Sequence, residues 1–77
     1  MKNLELIKAR MIRGLTQADM AKILNITRTA YRFKEDGESG FSTDQIVLLV
    51  HELNLSFDEM NAIFFHGKLP YGHFALP

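Results

Sequence analysis

The sequence contains no cysteine, no tryptophan, only two prolines and no net charge at pH 7. Without cysteine, a disulfide scaffold and a thiolate metal site are both excluded. Long apolar runs are also missing: the most apolar stretch, residues 46–50, is far shorter than the ~20 residues that cross a bilayer. Charges at Lys2 and Glu5 interrupt the apolar run that a secretory leader needs. We therefore expect a cytoplasmic protein that does not enter a membrane.

The net charge of zero hides an uneven distribution of charge along the chain. Residues 1–34 hold eight basic and two acidic side chains, for a net charge of +6, whereas residues 35–77 hold one basic and seven acidic side chains, for −6. The basic half can attract a polyanion, while the acidic half limits non-specific binding. This asymmetry favours nucleic acid as a partner.

Four helix-start signals divide the chain. In each, a hydroxyl residue that can cap a helix lies between two apolar residues, and its partner follows three positions later. The four caps and partners are Thr16 with Asp19, Thr27 with Ala30, Ser42 with Gln45, and Ser56 with Glu59. Only the second pair lacks an acid or amide partner. With Gly14 as the end of a first helix, the signals predict five helices, over about residues 2–13, 17–24, 28–35, 43–53 and 57–65.

The predicted architecture is all-α, because no alternation typical of strands is present. A chain of 77 residues has a thin core, so we expect one domain, residues 1–65, with a partner subunit as a further source of stability. Residues 66–77 form a short irregular tail. The tail contains the apolar residues Leu69, Tyr71, Phe74 and Leu76. It either packs on its own core or a dimer partner, or it is frayed.

Apolar spacing predicts which helix faces are buried. The second and fourth helices each carry an apolar stripe, formed by Met20, Ala21 and Leu24 and by Ile46, Leu49, Val50 and Leu53. Val47 and Leu48 lie beside the fourth-helix stripe, so that helix is either central or covered by a neighbouring molecule. On the first helix, Leu4, Ile7 and Met11 form an additional stripe.

Residues 17–34 form a candidate helix-turn-helix. Two short helices meet at a tight turn, in which Asn25 stands where a left-handed conformation is needed and tolerated. Ala21 is small enough to allow close approach of the second helix, and Ile26 fills the angle between the two helices.

At this point the chain resembles a known family. The segments Gly14-Leu15-Thr16-Gln17-Ala18-Asp19-Met20-Ala21, Ile26-Thr27-Arg28 and Glu35-Asp36-Gly37 are similar to the phage Cro/repressor-like (Xre-type) helix-turn-helix pattern. The resemblance runs without gaps over residues 6–65. It departs at Asn25, where the family usually has glycine, and at Lys34, where an aliphatic residue is common. It implies a compact five-helix, lambda-repressor-like domain.

The resemblance also implies a set of DNA-binding residues. The third helix would lie in the major groove, with Tyr31 turned into the core. The implied contacts are Gln17, Thr27, Arg28, Thr29, Arg32, Phe33 and Lys34. Arg28 and Arg32 lie one turn apart, which suits neighbouring contacts to guanine. Lys34 would lay its stem on the core and raise its amine toward phosphate.

Two structural roles follow from the same resemblance. Arg10 and Glu35 match a pair that joins the first helix to the end of the recognition helix through a salt bridge. The missing acid at Ala30 also has an explanation, because a carboxylate there would improve the helix cap but repel phosphates.

The sequence predicts a DNA-binding transcriptional regulator of phage or prophage type, without cofactor, that binds an inverted-repeat operator in double-stranded DNA as a homodimer. Two alternatives remain: an antitoxin, and an interaction module that binds a protein through helices four and five and the tail. His51, His66 and His73 lack the spacing of a metal site, and no acid–base or phosphate-loop motif indicates an enzyme.

Overall fold

The computed structural model describes residues 1–70, which form five α-helices joined by short turns. The helices are α1 (Leu4–Ile12), α2 (Gln17–Leu24), α3 (Arg28–Glu35), α4 (Thr43–Glu52) and α5 (Phe57–Phe65). Three of the five predicted ranges are confirmed at both ends. The range of α1 was predicted too long at both ends and that of α4 by one residue. The side chain of Asn3 caps α1 by accepting a hydrogen bond from the backbone N–H of Leu6 at 3.1 Å.

The four predicted caps are confirmed, three of them by reciprocal hydrogen bonds. The backbone N–H of Asp19 donates to the Thr16 hydroxyl at 3.0 Å, and that of Thr16 donates to the Asp19 carboxylate at 2.8 Å. The starts of α4 and α5 carry the same capping box. At α3, the Thr27 hydroxyl accepts from the N–H of Ala30 at 3.0 Å. Alanine has no side-chain acceptor for the return bond, so this cap is only half formed.

The core lies where all five helices meet. Its buried apolar residues are Leu6 and Ala9 of α1, Met20, Ala21 and Leu24 of α2, Tyr31 of α3, Leu49 of α4, Leu53 and Leu55 of the following turn, and Ile63 of α5. The stripes predicted for α2 and α4 therefore face the core. Val47 and Leu48 remain 62% and 40% exposed, so no other described residue covers this face of α4.

Polar contacts near the helix ends fix α1 against α5. Close to the start of α1, the Asn3 amide donates to the carbonyl of Ile63 at 3.0 Å. At the end of α1, Arg13 binds the Glu59 carboxylate through both terminal nitrogens, at 3.1 and 2.9 Å. The two helices therefore run antiparallel.

The described chain ends just beyond α5. The Asn61 side chain exchanges two hydrogen bonds with the backbone of Leu69, at 3.2 and 3.0 Å. Tyr71, Phe74 and Leu76, on which the predicted role of the tail depends, lie outside the described residues. Within residues 1–70, no helix has the length and apolar character needed to cross a membrane.

Candidate nucleic-acid interface

The turn between α2 and α3 has the predicted geometry. Asn25 adopts a left-handed conformation with φ 57° and ψ 45°, which costs asparagine less than most residues with a side chain. The next residue, Ile26, donates its backbone N–H to the carbonyl of Ala21 at 3.0 Å and packs partly buried against the core. The chain then extends through Thr27, the cap of α3. These steps fix the angle between α2 and α3, and they make this unit a helix-turn-helix.

Helix α3 has one buried and one exposed side. Tyr31 and Glu35 are 0% and 1% exposed. Five of the residues predicted to face DNA from this segment are exposed, namely Thr27, Arg28, Thr29, Arg32 and Phe33, whereas the sixth, Lys34, is half-buried. The guanidinium of Arg32 lies over the Phe33 ring, 5.6 Å from its centroid, which is a cation–π distance. The exposed row therefore presents two cations, two hydroxyls and an aromatic ring on a short helix.

A buried hydrogen-bonded cluster holds α3 from behind. The Glu35 carboxylate accepts two bonds from Arg10, at 2.9 and 3.0 Å, and one from the Tyr31 hydroxyl at 2.6 Å. The Gln17 amide nitrogen donates a further bond, at 3.0 Å. Arg10 lies on α1, Gln17 begins α2, and Tyr31 and Glu35 lie on α3. One carboxylate thus joins α1, α2 and α3.

The electrostatics of this cluster favour the charged form of Glu35. Burial by itself raises the pKa of the Glu35 carboxyl, but hydrogen bonds from Arg10, Tyr31 and Gln17 and the Arg10 charge outweigh it and hold the pKa below its usual range. The same contact with Glu35 raises the pKa of the Arg10 guanidinium. For Tyr31, burial and then the bond to Glu35 raise the pKa of the hydroxyl. At neutral pH the cluster is therefore a satisfied ion pair with a neutral tyrosine.

Gln17 belongs to this cluster as well as to the predicted DNA contacts. Its amide nitrogen carries two hydrogens, of which one is directed to Glu35. The second hydrogen is left for another acceptor. Gln17 and Arg28 line the same shallow depression, between the starts of α2 and α3. The structure therefore brings together these two predicted site residues, which are eleven positions apart in the sequence.

Lys34 is oriented by the loop that follows α3. Its ammonium donates to the carbonyl of Gly40 at 2.7 Å and lies 5.6 Å from the centroid of the Phe41 ring. The stem is half-buried, as the sequence suggested, but the amine is directed to the 36–40 loop. An ammonium has three hydrogens, so the contact with Gly40 leaves two for other acceptors.

The structure contains an ion pair between Arg13 and Glu59 that the sequence did not predict. This pair alters the distribution of unpaired charge. Arg13 binds Glu59 and also donates to the carbonyls of Leu53 and Ala9, at 2.7 and 2.9 Å. The bonds from Arg13, and then the backbone N–H of Ser56, lower the pKa of Glu59. The sequence identified Glu59 as part of a cap, but no local pattern links it to an arginine 46 positions away.

Two of the basic residues counted in the first half of the chain, Arg10 and Arg13, therefore neutralise acids of the second half. No cluster of three or more His, Asp or Glu side chains that could hold a metal ion occurs in residues 1–70.

A comparison with protein families gives one match. A helix-turn-helix family model matches residues 6–60, which is well over half of the chain and includes all of α1 to α4 except the first two residues of α1. Comparisons with curated proteins and with solved structures give no match.

Proposed function

The chain belongs to the Xre/Cro-type helix-turn-helix family of DNA-binding regulators, and from that premise we propose that it is a sequence-specific transcriptional regulator of phage or prophage type. It binds an inverted-repeat operator as a homodimer, associated with the DNA of a bacterial or phage-infected cell. The observation that carries the proposal is the exposed polar and aromatic row on α3, supported from behind by the Glu35 cluster.

Base recognition is assigned to the exposed side of α3. Arg28 and Arg32 are separated by one helical turn and can each form two hydrogen bonds to a guanine, worth about 1–3 kcal/mol of discrimination. Stacking on Phe33 restricts the Arg32 side chain before it meets DNA. Thr29 and Phe33 form a second pair one turn apart, suited to thymine methyl groups. Thr27, the N-cap residue of α3, can donate its backbone N–H to a phosphate.

Positioning on the sugar–phosphate backbone is assigned to the start of α2. The first N–H groups of a helix carry partial positive charge and bind anions. Gln17, at the first position of α2, adds the amide hydrogen that Glu35 leaves free. Lys34 supplies a further cation at the end of α3. Such contacts set the register of a protein on the duplex without reading its sequence.

A dimer is proposed because a single small domain makes few base contacts. Two recognition helices about 34 Å apart would enter successive major grooves on one side of the duplex. The operator would then have the two-fold symmetry of the protein, and each half-site would be read by one α3.

The experiment that tests this function is selection of bound sequences from a random duplex pool, followed by titration of the selected sequence at two salt concentrations. We expect an inverted repeat, with affinity that falls steeply as salt rises. The control is the double variant Arg28→Ala with Arg32→Ala, checked by circular dichroism for an unchanged fold, which should enrich no motif.

Two other results would count against the proposal. Salt-sensitive binding without a selected motif would indicate an architectural protein. Failure of the folded protein to retain any DNA would instead favour a protein partner, bound through α4, α5 and the tail.

A further inference from the structure

Helix α4 carries an exposed stripe on the side opposite the core. Asp44, Val47, Leu48 and His51 follow the i, i+3, i+4, i+7 spacing that places residues on one helix face. All four are exposed, Val47 at 62% and Leu48 at 40%. The opposite face of α4 is occupied, because Leu49 is buried and Ile46 and Val50 are half-buried. We call the four exposed residues the α4 stripe.

We propose that the α4 stripe is the homodimer interface, in which the α4 helices of two copies pack antiparallel about a two-fold axis. This inference rests on the proposed function only for the expectation that the regulator is a dimer. The partner is a second copy of this chain because the stripe is complementary to itself.

The complementarity follows from the order of residues along the helix. A two-fold axis between positions 47 and 48 places Val47 of each copy against Leu48 of the other. The same axis places Asp44 against His51 of the other copy, at both ends of the contact. An isologous interface needs such reciprocal pairing. The apolar residues are therefore central, and a carboxylate faces a hydrogen-bond donor at the rim, which is the usual arrangement of interfaces.

A parallel pairing of the same helices is disfavoured by charge. It would bring Asp44 of one copy next to Asp44 of the other, and like charges at an interface reduce affinity. The antiparallel register separates the two Asp44 carboxylates and places each beside His51, whose Nδ1 lies 3.4 Å from the Glu52 carboxylate of its own chain. It also aligns the two α4 helices with opposed dipoles, which is a small additional advantage.

The exposed apolar residues of α1 do not offer an equivalent surface. Leu4, Met11 and Ile12 are 69%, 65% and 71% exposed, but Lys8 lies between them and is paired with Glu5 at 3.7 Å. Covering that face would remove water from the Lys8 ammonium, which is costly. The α4 stripe has no charged residue at its centre.

Dimerisation through the α4 stripe leaves the DNA-binding surface free. The stripe shares no residue with the exposed row of α3, and α4 packs on α2 through its other face. A contact between two ten-residue helices is smaller than the ~1,200 Å² of a stable complex. We therefore expect a dissociation constant on the order of 10–100 μM without DNA, and tighter association when both copies bind one operator.

Sedimentation equilibrium without DNA, from about 5 to 500 μM protein, tests the interface. The wild-type chain should change from monomer to dimer across this range, and Val47→Asp should remain monomeric. The matched control is Ile12→Asp, which places the same charge at an apolar position outside the stripe that is 71% exposed, against 62% for Val47. This variant should dimerise like wild type. Circular dichroism verifies that both variants fold.

The register is tested by disulfide formation, since the chain has no thiols of its own. An oxidised mixture of the variants Asp44→Cys and His51→Cys should give a covalent heterodimer, whereas Asp44→Cys alone should give none. Covalent dimers of Asp44→Cys alone would overturn the antiparallel register.

A wild-type chain that stays monomeric, or a Val47→Asp variant that still dimerises, would overturn the interface even if operator binding is normal. Dimerisation without operator binding would leave the interface standing and refute the proposed function.

Discussion

Substitution of Ala30 should separate the stability of α3 from the proposed ability of this helix to bind DNA. The Thr27 hydroxyl already accepts the N–H of residue 30 at 3.0 Å, but Ala30 returns no bond to the N–H of Thr27. In Ala30→Glu the new carboxylate can make that return bond and complete a capping box like those of α2, α4 and α5. If α3 lies in a major groove, the same carboxylate also lies close to phosphates.

The expected gain in folding stability follows from the completed cap. One added hydrogen bond contributes about 0.5–1.5 kcal/mol, and a negative charge in the first turn adds about 0.3–1 kcal/mol. Glutamate has a slightly lower helix propensity than alanine, which subtracts a few tenths of a kcal/mol. We expect a net gain of about 1 kcal/mol, which for a domain of this size raises Tm by about 4–8 °C.

The expected loss in DNA binding follows from Coulomb repulsion. A carboxylate about 7 Å from one phosphate is repelled by about 0.6 kcal/mol in water, and by more near a protein surface of lower dielectric constant. About 1 kcal/mol per subunit weakens a dimer by about thirtyfold, since both copies carry the substitution. The deficit should shrink at high salt, because a shorter Debye length screens the repulsion.

The assay pairs thermal unfolding with operator titration at low and high salt. The control is Ala30→Gln, whose neutral amide can also make the return bond but carries no charge, so its Tm should rise while operator affinity stays close to wild type. If Ala30→Glu gains stability and binds the operator at low salt as tightly as Ala30→Gln, then the start of α3 does not lie near phosphate. That result would refute the placement of α3 in the groove.

Three further predictions address base recognition, the buried cluster and the turn. Arg28→Ala and Arg32→Ala should each weaken binding per half-site by about 1–3 kcal/mol in the same titration, without lowering Tm. Glu35→Gln should destabilise the domain by about 3 kcal/mol at pH 7. Because the pKa of Glu35 is lowered in the folded state, its contribution to the free energy of unfolding is fully present above about pH 4.5 and is lost as the pH falls through the lowered pKa. In thermal melts at different pH values, Glu35→Gln should therefore lose less stability than wild type over that range. Asn25→Ala should lower the free energy of unfolding by about 1 kcal/mol, because residue 25 has a left-handed φ of 57°. Asn25→Gly should have a free energy of unfolding within about 0.5 kcal/mol of the wild-type value.

The sequence predicted the elements of the fold well because their determinants are local. A capping hydroxyl and its partner are three residues apart, so the starts of α2 to α5 could be located from short windows. The left-handed residue at the turn and the apolar stripes are also local patterns. The first helix was less well bounded because the residue three positions after its cap, Asn3, is Leu6, which supplies no acid or amide partner for a capping box.

The long-range polar contacts could not be predicted in the same way. The resemblance suggested the partner of Arg10 but not that Gln17 and Tyr31 bind the same carboxylate. Nothing in the spacing indicated that Lys34 binds a loop carbonyl. Such partners depend on how helices distant in sequence pack, and the energy of a surface or half-buried charge depends strongly on that arrangement.

The internal ion pairs change what the charge asymmetry of the chain means for DNA binding. Arg10 and Arg13 contribute to the +6 of the first 34 residues, yet each forms two hydrogen bonds with a carboxylate from the second half. These arginines hold α1 against α3 and α5 and are not free to neutralise phosphates. In the proposed function, the cations of Arg28 and Arg32 therefore form a larger share of the charge that would face DNA than a count along the sequence suggests. Since they also read bases in the proposed function, affinity and sequence discrimination should depend on the same two side chains.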